Sequence, residues 1–387
     1  MTTVFTATSL YTPLEEISRP LLFVENGVIT ELSSLSEKEV PKQASLVDFG
    51  DAILAPGFVD IHIHGGAGLD VMLASPADLP RMGKFLATHG VTGYFPTTVA
   101  APLDQTCAAL GRIADTIEAA NTSAREAVAQ PLGIHLEGPF LSHKRRGAHM
   151  PANLADPTLA IFERLWQAAR GLVRMLTIAP ELPGAMEVIA EAARRNVLVS
   201  IGHSDAELPD AQASVKAGAR HATHTFNAMR PLDHRNPGIL GEVLTSDQLS
   251  ADIIADGIHL APEVVQLVLA AKGIERSVLI TDAISATGMP DGRYMLGLME
   301  VELKDGKVTR DGGLAGSVLT MDRAVRNVTK FAHWSLRDAV RAATLNPARS
   351  ASLARHGRLQ AGAEANFTVL NSSGEVQKTV VGGFGHQ

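Results

Sequence analysis

The sequence predicts an α/β fold: a (β/α)8 TIM barrel joined to a small β-sandwich domain formed by both chain termini. Three observations predict it. Eight short strand-like runs alternate with helical patterns between residues 57 and 357, and such alternation argues parallel strands with crossover helices. Strand-like patterns without helices occupy both ends, residues 1–56 and 358–387. The chain has 387 residues, too long for one minimal domain and suited to a large barrel with a companion.

Taken in order, residues 21–24 and 27–32 read as strand, turn, strand, and 47–54 as a further strand. Ala55-Pro56-Gly57 punctuates the end of this region. The barrel runs follow at 58–63, 91–99, 132–137, 173–179, 197–203, 221–226, 249–258 and 278–282. Helical patterns lie at 78–89, 103–119, 158–169, 185–195, 207–217 and 262–272, then at 321–332 and 336–344. The tail returns to strand pattern at 366–370 and 377–381. An open doubly wound sheet is the alternative. It would want a Gly-rich phosphate turn after the first strand, and no G-x-G-x-x-G stands there.

Composition removes several function classes. The formal net charge is −7, only 4% of residues are aromatic, and the densest basic cluster is Lys144-Arg145-Arg146. That excludes a nucleic-acid partner built on a basic face or a base-stacking platform. The single cysteine, Cys107, excludes an internal disulfide framework and any Cys-rich zinc site. It falls in an apolar helical pattern and reads as a small buried residue. A metal here must be held by His and carboxylates. Residues 1–10 lack a basic segment followed by an apolar stretch, and no apolar run is long enough to span a bilayer. The expectation is a cytoplasmic protein with no membrane partner.

The chemistry-bearing residues gather at the C-terminal ends of the barrel runs, where barrel enzymes place their sites. Run one ends Asp60-Ile61-His62-Ile63-His64, with Asp60, His62 and His64 on one face of a period-two strand. Two imidazoles so spaced can bind one metal, although H-x-H alone equally fits a core or surface pair. Run three ends His135-Leu136-Glu137-Gly138-Pro139. A buried Glu is rare without a partner, and a metal would supply one; His135 lies one layer lower and reads as a core or supporting residue. Run five ends in His203, run six carries His224 on the face of Ala222 with His221 on the other, and run eight ends in Asp282. Four strand ends deliver His or Glu and a fifth delivers Asp, which predicts a metal centre. Nitrogen and oxygen ligands without thiolate suit Zn²⁺, Fe²⁺, Co²⁺ or Mn²⁺. Such a centre with an adjacent Asp predicts metal-assisted hydrolysis.

The H-x-H strand end, the later single histidines and the strand-eight Asp resemble the amidohydrolase superfamily. The fuller strings are Gly-Phe-Val-Asp-Ile-His-Ile-His-Gly-Gly (57–66), His-Leu-Glu-Gly-Pro-Phe (135–140), Gly-Ala-His-Met-Pro-Ala (147–152) and Gly-His-Ser-Asp-Ala (202–206). They continue with His-Thr-Phe-Asn-Ala-Met (224–229), Ala-Asp-Gly-Ile-His (255–259), Thr-Asp-Ala (281–283) and Leu-Ala-Gly-Ser (314–317). This ordered set resembles the N-acetylglucosamine-6-phosphate deacetylase family over nearly the whole chain.

The resemblance implies a homodimeric enzyme acting on a small amino-sugar phosphate, with one or two divalent ions per subunit, Zn or Fe foremost. It implies that Glu137, His203 and His224 hold the principal ion and that Asp282 is general base and acid. His259 would orient or polarise the acetyl carbonyl or bind the sugar. Ala148, His149, Asn227, Ala228, Asp256, Gly257, Ile258, Leu314, Ala315 and Gly316 would line the sugar-phosphate pocket. Arg235 would contact the phosphate across a dimer interface, or is only a solvated loop charge. Lys144 to Arg146 form a lid or a solvated face. Some family members lack the strand-one histidines; here His62 and His64 are both present, which implies a second ion bridged by Glu137 and touched by Asp282. Hydantoinase-like relatives instead bridge metals with a carboxylated Lys on strand four, and 173–180 contains no Lys. A scaffold that had lost its site would not keep these ligands together with Asp282.

Overall fold

A computed structural model describes residues 2–12, 14–120 and 127–385. Eight parallel strands, numbered here one to eight, follow one another around the barrel in sequence order. They are Phe58–Ile63, Val91–Thr98, Ile134–Glu137, Val173–Ile178, Leu198–Ile201, His221–Ala222, Ser250–Ile253 and Ser277–Leu279. The ring closes between strands eight and one through a bridge from Ile63 to Ala283. There the Asp282 N–H donates to the His62 carbonyl at 2.9 Å and the His64 N–H to the Ala283 carbonyl at 2.8 Å. Closure is therefore made at the C-terminal rim, by the residues that carry the candidate chemistry.

The strands form where expected because helices cover them and side chains fill the interior, so both faces favour apolar residues. Phe58, Ile61, Phe95, Leu136, Met175, Leu176, Ile201 and Ile253 are fully buried in one continuous core with the helices. The helices begin at identifiable caps. Thr158 accepts the Ile161 N–H ahead of Leu159–Ala168, Ser335 accepts the Asp338 N–H ahead of Leu336–Ala342, and Glu207 with Asp210 makes a capping box ahead of Leu208–Ala217. Helix Pro262–Arg276 runs past the expected 272, with Gly273 breaking its regularity at φ +65°.

Three expectations need correction. Run 47–54 is two strands, Ser45–Asp48 and Ile53–Pro56, in different sheets. Gly50 at φ +60° turns the chain between them, and its N–H donates to Asp48 Oδ1 at 2.8 Å. Runs 221–226 and 249–258 are strand only at His221–Ala222 and Ser250–Ile253. In the first, His224, Phe226 and Ala228 adopt positive φ; in the second, Asp256 Oδ1 accepts the Ile258 and His259 N–H groups and turns the chain. Finally, the unanticipated elements include helix Gly238–Thr245 and an antiparallel sheet of Gly292–Leu296, Met299–Lys304, Lys307–Arg310 and Gly313–Leu314. That sheet lies between strand eight and helix Met321–Ala332. It packs Leu296, Met299, Val301, Leu303 and Val308 into a separate cluster with Met72, Val99 and Ile284 beside the barrel mouth.

The terminal segments make two sheets. One orders Val28–Ser34, Pro20–Glu25, Thr3–Thr6 and Ser45–Asp48; the other orders Val376–Val380, Phe367–Leu370, Ile53–Pro56, Ser9–Tyr11 and Glu16–Ser18. Phe5, Leu22 and Ile29 of the first share a core with Leu10, Leu54, Phe367 and Val380 of the second. Met1, Pro13 and residues 386–387 of the expected terminal domain lie outside the described residues. Among the described residues, no helix is long and apolar enough to cross a membrane.

Candidate active site

Glu137, at the end of strand three, is the hub of the barrel mouth. It is buried, and its Oε1 lies 3.1 Å from His203 Nε2, 3.1 Å from His224 Nε2 and 3.4 Å from His62 Nε2. Its Oε2 lies 3.1 Å from His64 Nε2 and 3.6 Å from His149 Nε2. Asp282 Oδ1 lies 3.2 Å from His64 Nε2 and 3.5 Å from His62 Nε2. The six residues singled out at strand ends are thus brought together, and all are buried.

Three of them reach the site through unusual backbone. His203, His224 and Asp282 take φ of +46°, +27° and +50°, values that residues with a Cβ rarely adopt. Strain of this kind persists only where the surroundings enforce it, and it concentrates at functional sites. Gly202 explains part of the enforcement. A Cβ there would lie 2.7 Å from the Cβ of Thr223, so strands five and six meet closely beneath His203 and His224. Gly202→Ala is expected to spread that seam and lower metal affinity at least about tenfold, the range seen when supporting groups are lost. Competition titration against a chromogenic chelator measures it, and an unchanged affinity contradicts the explanation.

Hydrogen bonds fix which ring nitrogen of His64 and His203 can bind a cation. His64 Nδ1 faces the Thr97 carbonyl at 3.1 Å and His203 Nδ1 the Arg145 carbonyl at 2.9 Å. A carbonyl only accepts, so both Nδ1 atoms carry hydrogen, and in the neutral rings both Nε2 atoms present lone pairs. Those lone pairs point at carboxylate oxygens, and His203 Nε2 also lies 3.0 Å from His224 Nε2. An acceptor cluster this dense is satisfied by a cation. Donors held by a tetrahedral ion at ~2.1 Å would lie roughly 3.4 Å apart, close to the separations seen. The donor set therefore fits a divalent metal. Two groups can hold one: His62, His64 and Asp282, and Glu137 with His149 and His203.

His149 differs from the others. Its Nδ1 accepts the Ala100 N–H at 3.2 Å, so its Nε2 carries the hydrogen and is a donor into the mouth. Although it stands near Glu137, its tautomer suits a substrate contact better than ligation, and His224 completes the Glu137–His203 set.

The electrostatics show how strongly the carboxylates demand positive charge. Burial alone would raise Glu137, but His62 and the hydrogen bonds of His149, His203 and His224 hold it well below the usual range. Burial would likewise raise Asp282, and His64 and His62 bring it down to about 2. Burial would depress His64, yet Asp282 and Glu137 push it up to about 10. A proton on His64 thus stands in for a cation in the metal-free protein. The sign follows: its folded value exceeds the unfolded one of ~6.5, so its stabilisation is complete below that pH and is lost as pH rises toward about 10. Chelator-treated protein should lose on the order of 5 °C in Tm across this window. Metal-loaded protein, with Nε2 already occupied, should not. Parallel calorimetric series in both states check this, and identical curves would refute it.

Below the mouth lies a supporting polar layer. His135, pushed well below its ordinary value by burial, contacts Thr177 at 2.8 Å, and Thr177, Thr223 and Ser200 continue the chain of hydrogen bonds. Asp60 accepts from the Thr281 hydroxyl at 2.6 Å, tying strand one to the residue before Asp282; burial pushes its carboxyl up to about 7. His221, placed on the opposite strand face from His224, is fully buried against Asp252 at 2.6 Å. Sequence reasoning missed Asp252, a lone acid in the apolar strand seven.

Around the Glu137 cluster opens a cavity of about 380 Å³, lined by His64, Glu137, His149, His203, His224 and Asp282 together with His259. Ala148, Asn227, Ala228, Leu314, Ala315 and Gly316 complete much of its wall. His259 is held by Asp256, whose Oδ2 faces its Nδ1 at 2.7 Å. Asp256 thus reaches the cavity through His259, while Gly257 and Ile258 make the turn and do not line it. Arg235 is exposed and is not brought to the cavity within this chain. The basic cluster is pinned: Lys144 and Arg145 both contact Asp205, at 3.3 and 2.8 Å, and the Arg145 carbonyl is the one that orients His203. Leu296, Met299 and Arg310 of the inserted sheet also line the cavity. No motif announced them, because the sheet itself was not anticipated.

This architecture has relatives. The chain is 37% identical over 385 residues to an N-acetylgalactosamine-6-phosphate deacetylase of Escherichia coli O157:H7, covering 99% of both chains. It is 34% identical to an N-acetylglucosamine-6-phosphate deacetylase of Bacillus subtilis (strain 168), covering 97% of this chain and 94% of that one. A Mycobacterium smegmatis N-acetyl-D-glucosamine-6-phosphate deacetylase mutant, solved in complex with N-acetyl-D-glucosamine-6-phosphate, superposes with a TM-score of 0.92. That structure shows 33% identity, with 100% of this chain and 99% of that one covered. The sequence model of the amidohydrolase family matches residues 53–384, a span that takes in every barrel strand and every residue of the Glu137 cluster, and the chain belongs to that family.

Proposed function

We propose that this amidohydrolase removes the acetyl group of N-acetylglucosamine 6-phosphate, giving glucosamine 6-phosphate and acetate. The observation that carries the reading is the convergence of Glu137, four imidazoles and Asp282 on the floor of a cavity of about 380 Å³, large enough for a monosaccharide phosphate. The substrate follows from the relatives, which are named for acetylated hexosamine 6-phosphates.

Glu137, His203 and His224 would hold the principal ion, with Zn²⁺ or Fe²⁺ suiting the donors. His62, His64 and Asp282 would hold a second, with Glu137 shared between them. When bound, such an ion lowers the pKa of a water toward ~7 and polarises a carbonyl oxygen. Asp282, ionised at neutral pH, takes the proton of the attacking water and returns it to the departing amine. His259, held through Nδ1 by Asp256, faces the cavity where it would orient the acetyl group or bind the sugar. His149 Nε2–H, Asn227 and the 314–316 backbone receive the sugar, and Arg235 of a second subunit reaches the phosphate. The working form is accordingly a cytoplasmic homodimer without nucleic-acid or membrane partners. Its catalytic domain spans 57–357, and the small β-domain spans 1–56 with 358–387.

The Escherichia coli relative supports a second reading, in which the preferred hexosamine is the galacto epimer. Acetate release from metal-supplemented enzyme, measured on both N-acetylhexosamine 6-phosphates, tests both. A higher kcat/KM on the gluco substrate supports the first reading and on the galacto substrate the second; no release from either sinks both.

A further inference from the structure

Resting on that reading, we infer that Arg310, from the inserted antiparallel sheet, is a specificity-determining residue that binds the phosphate end of the substrate from within the same chain. A phosphate dianion in a half-enclosed cleft needs a compensating charge, and a guanidinium meets it with paired donors. The cavity already holds two carboxylates, Glu137 and Asp282. Among the described residues lining it, Arg310 is the one Lys or Arg.

Its placement suits the task. Arg310 pairs with Gly313 across the hairpin that leads into the 314–316 wall. Its Nη1 donates to the Ala148 carbonyl at 2.6 Å, so the side chain bridges the inserted sheet and the 147–149 segment. Its other neighbour is Asp311, 3.6 Å from Nε, whose carboxylate is 88% exposed and therefore a weak, solvent-screened competitor. Nη2 has no protein partner among the described residues. The Arg310 side chain is three-quarters buried, anchored at one corner of its guanidinium and uncompensated by any buried acid. A charge so placed has little to do for stability, since one backbone carbonyl would be served equally by water. It is suited to an anion that arrives in the cavity.

The test compares phosphorylated and unphosphorylated N-acetylhexosamine as substrates for wild type, Arg310→Ala and Arg310→Lys, with metal supplied. Loss of a charge-assisted contact predicts about a 10- to 100-fold fall in kcat/KM for Arg310→Ala on the phosphorylated substrate, carried mostly by KM. The unphosphorylated substrate should be turned over within about twofold of wild type, and Arg310→Lys should recover part of the loss. A merely structural role, holding Ala148 in place, would instead lower both substrates together, and that outcome overturns the inference. So does a phosphate preference as large in Arg310→Ala as in wild type. If wild type releases no acetate from either substrate, the proposed function fails, a result separate from either of these.

Discussion

Asp282→Asn should lower kcat by about 10²- to 10⁴-fold while the protein stays folded and keeps the ion held by Glu137, His203 and His224. Asn has the same shape and is, with Asp, among the residues that best tolerate positive φ, so the strained +50° backbone is preserved. The Asp282 N–H to the His62 carbonyl and the Ser317 N–H to the Asp282 carbonyl are main-chain bonds and survive the change. What disappears is the proton acceptor. Asp282 is held ionised by His64 and His62, whereas an amide takes no proton at any working pH. Elemental analysis beside steady-state kinetics separates the two effects. Turnover within a fewfold of wild type would remove Asp282 from the proton-transfer role. Complete loss of metal would recast it as an indispensable ligand.

The barrel was legible because periodicity reports burial, and both the strands and the helices of this fold bury apolar residues at regular spacing. The six strand-end residues were legible for a different reason. His62, His64, Glu137, His203, His224 and Asp282 are polar groups where an apolar run would otherwise continue, and polar burial demands a partner. Their mutual geometry was not legible. The positive φ at His203, His224 and Asp282 arises from long-range closure, and the sequence around them looks like ordinary strand. The tautomer that marks His149 as a donor depends on the Ala100 N–H, 49 residues away. The inserted sheet at 292–314 escaped notice because its strand Met299–Lys304 alternates exposed Glu and Lys with buried Val and Leu, a pattern any surface hairpin shares. With it went Arg310, whose meaning comes only from the cavity it borders.

Glu137→Gln should have the broadest effect, since one carboxylate serves both halves of the centre. Its Oε1 faces His203, His224 and His62, and its Oε2 faces His64 and His149. Replacing it removes a charge from beneath four converging Nε2 atoms and puts an amide there whose NH₂ end binds no cation. The purified variant should contain essentially no bound metal, and kcat should fall beyond the effect of Asp282→Asn. Breaking a buried charged cluster on one side costs about 3–5 kcal/mol, and the stabilisation contributed by bound metal is lost as well. The melting temperature should therefore drop to or below that of chelator-treated wild type. His62→Asn separates the two halves, because His62 approaches Asp282 and His64 without being needed by His203 or His224. Wild type purified without chelator should carry about two equivalents and His62→Asn about one. One equivalent in both proteins would remove the second ion while leaving the Glu137–His203–His224 centre standing. Two equivalents retained in Glu137→Gln would remove the centre itself, since no other carboxylate in the cavity touches both histidine sets.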